Sequence, residues 1–467
     1  MAELLFHGAA GEVTGSMHMV RVDDRWVALD CGLFQGRRAE SEEKNRAWPM
    51  PPKDISAVVL SHAHIDHSGR LPKLVKDGFD GPIFCTAATR DLCAVMLPDS
   101  AHIQEEDVFY VNKKRARRGL DPIEPLYSYD DALAAVRLAQ TVSYERWFQV
   151  VPGLLARFVE AGHMLGSAGV QLEFARRNGR TLSLFFTADV GRRNAPILRD
   201  PVAIPPADVI ICESTYGARV HETVADARDR LRDAVKKTWA RGGKVIMPAF
   251  SVGRTQTIVY YLHQLMYEGD LPRYPVFVDS PLAVDATEVF RMHPECYDRE
   301  AREFQSRTGD MLGHGCCVYI RDVEDSKRLH ERREPCVIVS ASGMCEAGRI
   351  RHHLKNNVEN PRNTVLICGF QAEGTLGRRL VEDAKEITLF HEPYRVKADV
   401  TQIHGFSGHA DQRELRAMLK PHVDDQRRIF LVHGEVEQAE ALAIALREDG
   451  FAHITIAKRD KRVALVD

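Results

Sequence analysis

The sequence predicts an α/β protein in which one domain is interrupted by another. Three observations support this prediction. Residues 1–206 consist largely of short strands joined by turns, whereas apolar strands alternate with helical segments over residues 207–386. The strand-rich pattern then returns over residues 387–467. Near-continuous apolar strands separated by helices are typical of a parallel sheet that is covered on both faces, so we expect such a sheet in the inserted domain.

Two hairpins and one long helix are predicted in the first domain. Turn residues between two strands indicate the hairpins, and the Asn178-Gly179 pair is the strongest short signal of this kind. A highly charged stretch with helical character lies between the hairpins. The predicted hairpins are 17–30 and 171–187, and the helix is 91–118.

The inserted domain is predicted from alternating strands and helices. Several of its strands end in small polar residues, and parallel sheets bind ligands beyond the carboxyl ends of their strands. Two further strands are expected near the C-terminus, over 428–432 and 454–457. The strands of the insert are predicted over 208–212, 244–247, 276–278, 336–339 and 364–368, with helices over 223–241 and 254–267.

The composition is that of an ordinary globular protein. We find no signal peptide and no apolar run long enough to span a bilayer, so no membrane partner is expected. The ten cysteines include no Cys-x-x-Cys pair, which favours buried thiols in a reducing compartment and a cytoplasmic location. The formal net charge of −3 argues against holding nucleic acid by bulk electrostatics.

The most informative stretch is Ser61–Gly69, which reads SHAHIDHSG and follows the apolar strand 57–60. It offers four potential metal ligands within six residues, and imidazole nitrogen and carboxylate oxygen are good ligands for zinc. The alternative is a His-rich polar loop, but burying these groups without partners would be costly. Three further candidates stand at later strand ends: His163, Asp189 and His433.

This arrangement, His-x-His-x-Asp-His after a strand and then His, Asp and His, resembles the metallo-β-lactamase superfamily. The resemblance implies an αββα sandwich with two zinc ions at one edge, and manganese or iron would suit the same ligands. It also implies that Asp30 orients metal ligands by hydrogen bonds without binding metal. Carried over by motif, the seven ligands are His62, His64 and His163 for the first zinc, Asp66, His67 and His433 for the second, and Asp189 for both.

Motifs in and after the insert narrow the resemblance to the β-CASP nucleases. The segments CESTYG (212–217), FSGHAD (406–411) and LVHGE (431–435) resemble the three signature motifs of that family, and segments 248–256 and 339–344 are also similar. The whole chain is covered, and it looks closest to compact bacterial homologues of the pre-mRNA 3′-end cleavage endonuclease. The resemblance implies a ribonuclease for single-stranded RNA, endonucleolytic and with scope for 5′–3′ exonuclease activity.

In the implied mechanism, two zinc ions share a water molecule and lower its pKa. The hydroxide that forms attacks phosphorus in line. The leaving 3′ oxygen needs a proton, and His409 is our candidate donor, oriented and kept protonated by Glu213. The family pattern implies products with 5′-phosphate and 3′-hydroxyl ends. Alternatively, Glu213 and His409 only tie the two domains together. The candidate catalytic residues are Asp66, Asp189, Glu213 and His409.

RNA contacts are expected at turns that precede predicted helices, because exposed N–H groups there favour phosphate oxygens. The basic run 113–118 either extends an RNA path or is a solvated helix face. The candidate RNA-binding residues are Ser251, Arg254, Ser342, Gly343, Thr375, Arg378 and Arg379.

Three other functions compete with this hypothesis. A dinuclear hydrolase for a small ester or phosphodiester would need no insert of this size. A non-catalytic binding protein would be expected to have lost metal ligands, whereas every expected ligand is present. A DNA-directed β-CASP nuclease is not excluded by the sequence. Oligomeric state is also left open, including a homodimer.

Overall fold

The computed structural model describes residues 2–36, 38–175, 181–313, 315–423 and 427–465. Residue 176 and the Asn178-Gly179 turn of the second predicted hairpin lie outside this description. No helix in the described part of the chain combines the length and the apolar character that crossing a membrane requires. The chain forms two compact units: the first is Met1–Arg193, Asp200–Val220 and His409–Asp467, and the second is Asn194–Arg199 and His221–Gly408.

The secondary-structure elements are numbered along the chain. The strands are β1 (Ala2–Phe6), β2 (His18–Val22), β3 (Arg25–Leu29), β4 (Ile55–Val59), β5 (Ile83–Cys85), β6 (Ala139–Thr141), β7 (Phe148–Val151), β8 (Leu154–Glu160), β9 (Ala168–Ala175), β10 (Thr181–Phe186), β11 (Val209–Glu213), β12 (Val245–Pro248), β13 (Val276–Asp279), β14 (Cys317–Ile320), β15 (Val337–Ser340), β16 (Thr364–Cys368), β17 (Glu386–Leu389), β18 (Glu392–Arg395), β19 (Asp399–Ile403), β20 (Arg428–Val432), β21 (His453–Ile456) and β22 (Lys461–Ala464). The helices are α1 (Arg38–Arg46), α2 (Ile65–Ser68), α3 (Leu71–Lys76), α4 (Ala87–Ala116), α5 (Tyr129–Arg137), α6 (Val224–Ala240), α7 (Arg254–Tyr267), α8 (Pro281–Met292), α9 (Arg299–Thr308), α10 (Val323–Glu331), α11 (Ile350–Asn357), α12 (Leu376–Val381), α13 (Gln412–Leu419) and α14 (Val436–Glu448).

The first unit contains two seven-stranded sheets, in the orders β22-β1-β2-β3-β4-β5-β6 and β21-β20-β11-β10-β9-β8-β7. Apolar side chains from both sheets form one core; for example, the rings of Phe6 in β1 and Phe430 in β20 lie 5.2 Å apart. The other face of the second sheet packs against α13 and α14, through side chains such as Leu415 and Leu442. The predicted sandwich is confirmed.

The second unit is built on a six-stranded sheet in the order β14-β13-β15-β12-β16-β19, and every neighbouring pair is parallel. Its four central strands are short and buried, such as Val337–Ser340, because helices cover a parallel sheet. The core of this unit includes Ile338, Leu354 and Ile367. The predicted parallel sheet in the insert is present.

The division between the units differs from the predicted boundaries at 206/207 and 386/387. Strand β11, which we assigned to the inserted sheet, pairs in parallel with β10 and β20 and therefore belongs to the first unit. At the other boundary, β19 pairs in parallel with β16 and extends the second unit to Gly408. Strand β11 is apolar and buried, whereas β19 (DVTQI) contains three polar residues and is buried only at Ile403; neither sequence specifies its sheet, and strand pairing decides it.

Other predicted elements are close to the structure. Strands β2 and β3 form the expected hairpin around Asp23-Asp24, and the charged helix is α4, which begins earlier than expected. The helix begins directly after Thr86, its N-cap, whose side chain accepts a hydrogen bond from the Thr89 N–H. Helix α7 has the predicted bounds.

Arg70 anchors the polypeptide around the loop that follows β4. It is fully buried, and its guanidinium donates to the carbonyl oxygens of Gly32 (2.7 Å), Ala47 (3.2 Å) and Lys44 (3.3 Å). No acidic side chain pairs with it among the described residues, and burial lowers the pKa of Arg70 to about 10. The cation also lies 4.7 Å from the ring of Trp48.

We expect Arg70→Ala to destabilise the first unit by roughly 3 kcal/mol or more, because it removes a buried side chain together with its three hydrogen bonds to carbonyl oxygens. Urea unfolding followed by tryptophan fluorescence would measure this loss, since Trp26, Trp48 and Trp147 lie in that unit. The control is Arg299→Ala, whose side chain is 92% exposed and whose loss should change stability by less than about 0.5 kcal/mol. Equal unfolding midpoints for the two variants would contradict the anchoring role.

Candidate metal centre

The predicted ligands lie together at one edge of the first unit, each just beyond a strand. His62 to His67 follow β4 and continue into α2, His163 follows β8, and Asp189 follows β10. His433 is the first residue after β20, and its φ of 48° lies in the left-handed region that few non-glycine residues adopt. Four separate stretches of chain thus converge on one site.

One group of ligand atoms consists of His62, His64, His163 and Asp189, all within 4.8 Å of one another. Nδ1 of His64 lies 3.0 Å from Nε2 of His163. Oδ2 of Asp189 lies 3.5 Å from Nε2 of His62 and 3.5 Å from Nε2 of His163. This is the set of residues predicted for the first metal.

A second group consists of Asp66, His67 and His433. Nε2 of His433 lies 3.1 Å from Nε2 of His67 and 3.5 Å from Oδ2 of Asp66. Oδ1 of Asp189 faces this group, at 3.3 Å from Nε2 of His67 and 3.3 Å from Nδ1 of His433. The two oxygens of Asp189 therefore point to different groups, as a bridging carboxylate must.

The donor atoms suit metal ions in spacing and in chemistry. Ligands about 2.0–2.1 Å from a tetrahedral zinc ion lie roughly 3.3 Å from one another, and the separations above run from 3.0 to 3.5 Å. Within the described residues, no hydrogen bond reaches the buried atoms Nε2 of His62 and Oδ1 of Asp189. Buried polar atoms normally have partners, and a cation would supply one here.

The protonation states of the first group also suit a metal. Burial lowers the pKa of His62 to about 3 and that of His64 to about 4, and it lowers the pKa of His163 well below its usual value. These imidazoles are therefore neutral, the form that binds metal. Burial opposes ionisation of Asp189, but nearby His433 and His67 outweigh it and hold its pKa well below the usual range.

Asp30 orients a ligand of the second group by hydrogen bonding. Its carboxylate accepts hydrogen bonds from Nδ1 of His67 (2.7 Å), the Ser61 N–H (2.8 Å) and the Ser61 hydroxyl (2.9 Å). Engaging Nδ1 of His67 directs Nε2 of the same ring into the site. Asp30 itself is fully buried and lies in none of the ligand groups.

Two glycines let the backbone close around the ligands. A Cβ atom on Gly32 would lie 1.6 Å from the carbonyl oxygen of Asp66, and one on Gly191 would lie 1.8 Å from the carbonyl oxygen of Gly162, next to His163. Any other residue at either position would displace a segment that carries a ligand. Backbone contact therefore fixes these segments as firmly as side-chain packing does.

Glu213 and His409 form a pair beside the metal ligands. Oε2 of Glu213 lies 3.2 Å from Nδ1 of His409, and that nitrogen is 3.9 Å from Oδ2 of Asp189. Burial disfavours the charged imidazole, but Glu213 and Asp189 outweigh it and raise the pKa of His409 to about 9. Both residues belong to the first unit.

Sequence reasoning missed two polar side chains that touch the ligands. The Ser61 hydroxyl lies 3.0 Å from Nδ1 of His62, and the Thr215 hydroxyl lies 3.1 Å from Nδ1 of His433. Each belongs to a motif that we recognised, so its closeness in sequence to an assigned residue could have identified it. Neighbouring hydroxyls of this kind fix the orientation of an imidazole.

The candidate RNA-binding residues all lie in the second unit. Ser251 precedes α7, its hydroxyl lies 3.1 Å from that of Ser280, and Arg254 is the first residue of the helix. Ser342 and Gly343, which we expected at a helix N-terminus, lie instead in a turn, because the next helix begins only at Ile350.

The remaining three candidates lie at α12. Thr375 is its N-cap, and its hydroxyl accepts a hydrogen bond from the Arg378 N–H. The side chain of Arg378 pairs with Glu382 at 2.6 Å, and that of Arg379 donates to the carbonyl oxygen of Glu386 at 3.1 Å. Both guanidinium groups thus have protein partners in this structure.

Comparison with protein families finds three matching models. Residues 10–92 match the metallo-beta-lactamase superfamily, residues 255–380 match the Beta-Casp domain, and residues 393–457 match the Zn-dependent metallo-hydrolase RNA specificity domain. The first match contains His62 to His67, and the third contains His409 and His433.

Several known proteins are similar over nearly the whole chain. Ribonuclease TTHA0252 of Thermus thermophilus is 35% identical over 94% of this chain and 95% of its own length. Transcription termination factor FttA of Methanosarcina mazei is 30% identical over 93% of this chain and 67% of its own. A crystal structure of a protein of unknown function from Enterococcus faecalis V583 has a TM-score of 0.57 at 13% identity, covers 99% of this chain and 100% of that one, and shows the fold alone.

We expect Asp30→Ala to weaken metal binding by about 10- to 100-fold, because the imidazole of His67 loses its orienting partner. Competition with a chromophoric chelator would measure the affinity in purified protein. Asp24→Ala is the matched control, since that side chain is fully exposed on the β2–β3 turn and should bind metal like the wild type. Unchanged affinity in Asp30→Ala would show that the second group is oriented by other contacts.

Proposed function

Because the chain belongs to the β-CASP family of the metallo-β-lactamase superfamily, we propose that it is a zinc-dependent ribonuclease that hydrolyses RNA phosphodiester bonds. Its relatives of similar length include a named ribonuclease, and one of its matching models is named for RNA specificity. We propose single-stranded RNA as the substrate, endonucleolytic cleavage with additional 5′–3′ exonuclease activity, and a cytoplasmic location.

One observation carries the proposal of a two-metal centre. Asp189 directs one carboxylate oxygen to the His62, His64 and His163 group and the other to the Asp66, His67 and His433 group. We assign the first group to one zinc ion and the second group to another, with Asp189 shared. When bound, such ions supply Lewis acidity, which activates water and offsets the negative charge that develops on a phosphate.

The residues beside the ligands supply the proton that the leaving group needs. Hydrolysis adds water to phosphorus and breaks its bond to the 3′ oxygen, so that oxygen must gain a proton. His409 is charged at neutral pH because its pKa is raised to about 9, and an imidazolium carries protons on both ring nitrogens. Glu213 engages Nδ1 and thereby positions the ring, so we propose that Nε2 donates its proton to the leaving oxygen.

The second unit is proposed to contact RNA. We keep Ser251, Arg254, Thr375, Arg378 and Arg379 as candidates, together with the Ser342-Gly343 turn. At the start of α7, the N–H groups of Gly253, Arg254 and Thr255 already donate to neighbouring residues, so side chains are the better candidates there. Arg254, the first residue of α7, is the first side chain to test.

We expect His64→Ala to abolish RNA cleavage without unfolding the protein, because one ligand of the first group is lost. Wild-type protein should contain close to two zinc ions per chain, and chelation followed by zinc addition should remove and restore cleavage. Cleavage of labelled single-stranded RNA, elemental analysis and circular dichroism would test this. His453→Ala, at an exposed position of β21, is the matched control and should cleave normally. Full activity in metal-free protein would refute the proposal.

We expect His409→Ala to retain metal but to cleave RNA about 10²- to 10⁴-fold more slowly, because the leaving oxygen loses its proton donor. A nucleotide nitrophenyl ester has a leaving group that needs no proton, so its hydrolysis should change far less. Glu213→Gln should slow RNA cleavage by less than His409→Ala. Equal losses on both substrates would remove His409 from the donor role.

Mapping the products of 5′- and 3′-labelled RNA would separate the proposal from its rivals. We expect internal cuts that leave 5′-phosphate and 3′-hydroxyl ends. Single-stranded DNA of the same sequence and small lactones are the competing substrates. Faster turnover of either one would replace the ribonuclease assignment with a DNA-directed nuclease or a small-molecule hydrolase.

A further inference from the structure

The C-terminal half of α4 carries an exposed surface that the metal centre does not use. The first half of the helix is largely buried, but no residue after Ala101 is. Phe109 and Tyr110 are 65% and 62% exposed, and their rings lie edge to face at 5.6 Å. A basic run follows directly. We call this surface the α4 platform: Phe109, Tyr110, Lys113, Lys114, Arg117 and Arg118.

The spacing places rings and cations on one side of the helix. Residues four apart lie one turn apart on the same face, which aligns Phe109 with Lys113 and Tyr110 with Lys114. The opposite side of the helix contacts the segment that follows it. There the side chain of Asn112 forms two hydrogen bonds with the backbone of Ile123, at 2.8 and 2.9 Å. The platform therefore faces outwards on a supported helix.

The charges of the platform have no protein partners. Within the described residues, none of its four cations forms an ion pair, whereas exposed cations on other helices commonly do. On α10, for example, Lys327 pairs with Glu324 and Arg328 pairs with Asp325. Four uncompensated cations beside two exposed rings favour an anionic ligand with flat apolar faces.

We propose that the α4 platform binds single-stranded RNA, in a role that rests on the proposed ribonuclease function. Bases stack on exposed aromatic side chains and phosphates follow positive charge, so single strands suit this combination. A helix partner is favoured less, because helix pairing needs an apolar residue every three or four positions. Between His102 and Arg117, the large exposed apolar side chains are only Ile103, Phe109 and Tyr110.

Helix α4 also gives a scale for the distance between the platform and the loop that carries His163. At the start of α4, the hydroxyls of Thr86 and Thr89 donate to the carbonyl oxygen of Gly166, at 2.7 and 2.9 Å, in the loop that carries His163. Phe109 follows Ala87 by 22 residues of one helix, which corresponds to roughly 30 Å. At about 3.4 Å per stacked nucleotide, a strand needs on the order of nine nucleotides to span it.

The test compares a 6-nucleotide RNA, which is too short to span that distance, with a 24-nucleotide RNA of unstructured sequence. One variant combines Phe109→Ala with Tyr110→Ala, and another replaces the four cations of the platform with alanine. Fluorescence anisotropy measures Kd in the His64→Ala background, and kcat/KM is measured in otherwise wild-type protein. The charge control replaces Arg299, Arg307, Lys327 and Arg328 with alanine, exposed helix cations that are at least 61% accessible.

We expect the aromatic variant to weaken binding of the long RNA by about fivefold or more per ring and to leave cleavage of the short RNA unchanged. Phe109→Tyr combined with Tyr110→Phe should retain the affinity, because both rings remain. The platform charge variant should reduce the slope of log K against log salt by about 0.7 for each phosphate that the protein no longer neutralises, up to about 3. The control charge variant should bind like the wild type.

Three results would overturn the inference. One is an equal loss of affinity or kcat/KM for the short and the long RNA. Another is an equal loss of affinity in both charge variants, which would indicate bulk electrostatics. The third is a wild-type dimer in sedimentation that dissociates in the platform variants, which would assign the surface to a second copy. Acidic Glu105, Glu106 and Asp107 precede the rings, so antiparallel copies have the charges to pair. Wild-type protein that cleaves neither RNA refutes the ribonuclease proposal instead, so the two failures are distinguishable.

Discussion

One constraint governs the first unit: its metal site buries imidazoles and carboxylates, although removing such groups from water costs free energy. Asp189 and Glu213 are almost wholly inaccessible, as are His62 and His67, and taking such groups out of water is costly unless they are paired. Their mutual contacts offset part of that cost, and a divalent cation between them offsets more. The surrounding structure must therefore hold mutually repelling groups in place, which explains why Asp30 and a set of hydroxyls stand behind the ligands.

Strand direction explains how groups so distant in sequence meet. In the second sheet, β10, β11 and β20 are adjacent and parallel, so their carboxyl ends coincide and bring Asp189, Glu213 and His433 together. Strand β8 runs in the same direction, because two antiparallel pairings separate it from β10, and it delivers His163 to the same edge. The other sheet contributes the His62 to His67 loop through β4.

Positive charge is concentrated locally in this protein. With a net charge of −3, the chain as a whole does not attract a polyanion, so an RNA-cutting role requires local clusters that oppose the average. The four cations of the α4 platform, which form no ion pair with any described residue, make up such a cluster, whereas those of α12 are engaged by neighbours in the protein. Helix α4 begins beside the loop that carries His163 and presents this cluster at its other end. One helix therefore connects the candidate metal centre to the proposed RNA-binding surface.

The alternation of apolar strands and helices in the sequence by itself predicted the inserted parallel sheet, and the resemblance carried by its His and Asp motifs predicted the sandwich and the ligand set. Strand pairing decided what the sequence could not: hydrogen bonding assigned β11 and β19 each to the unit opposite to the one expected. Tertiary structure supplied the geometry of the expected contacts: the two oxygens of Asp189 face different ligand groups, and Oε2 of Glu213 lies 3.2 Å from Nδ1 of His409. Such facts depend on separations of a few ångströms between residues hundreds of positions apart, and no local pattern encodes them.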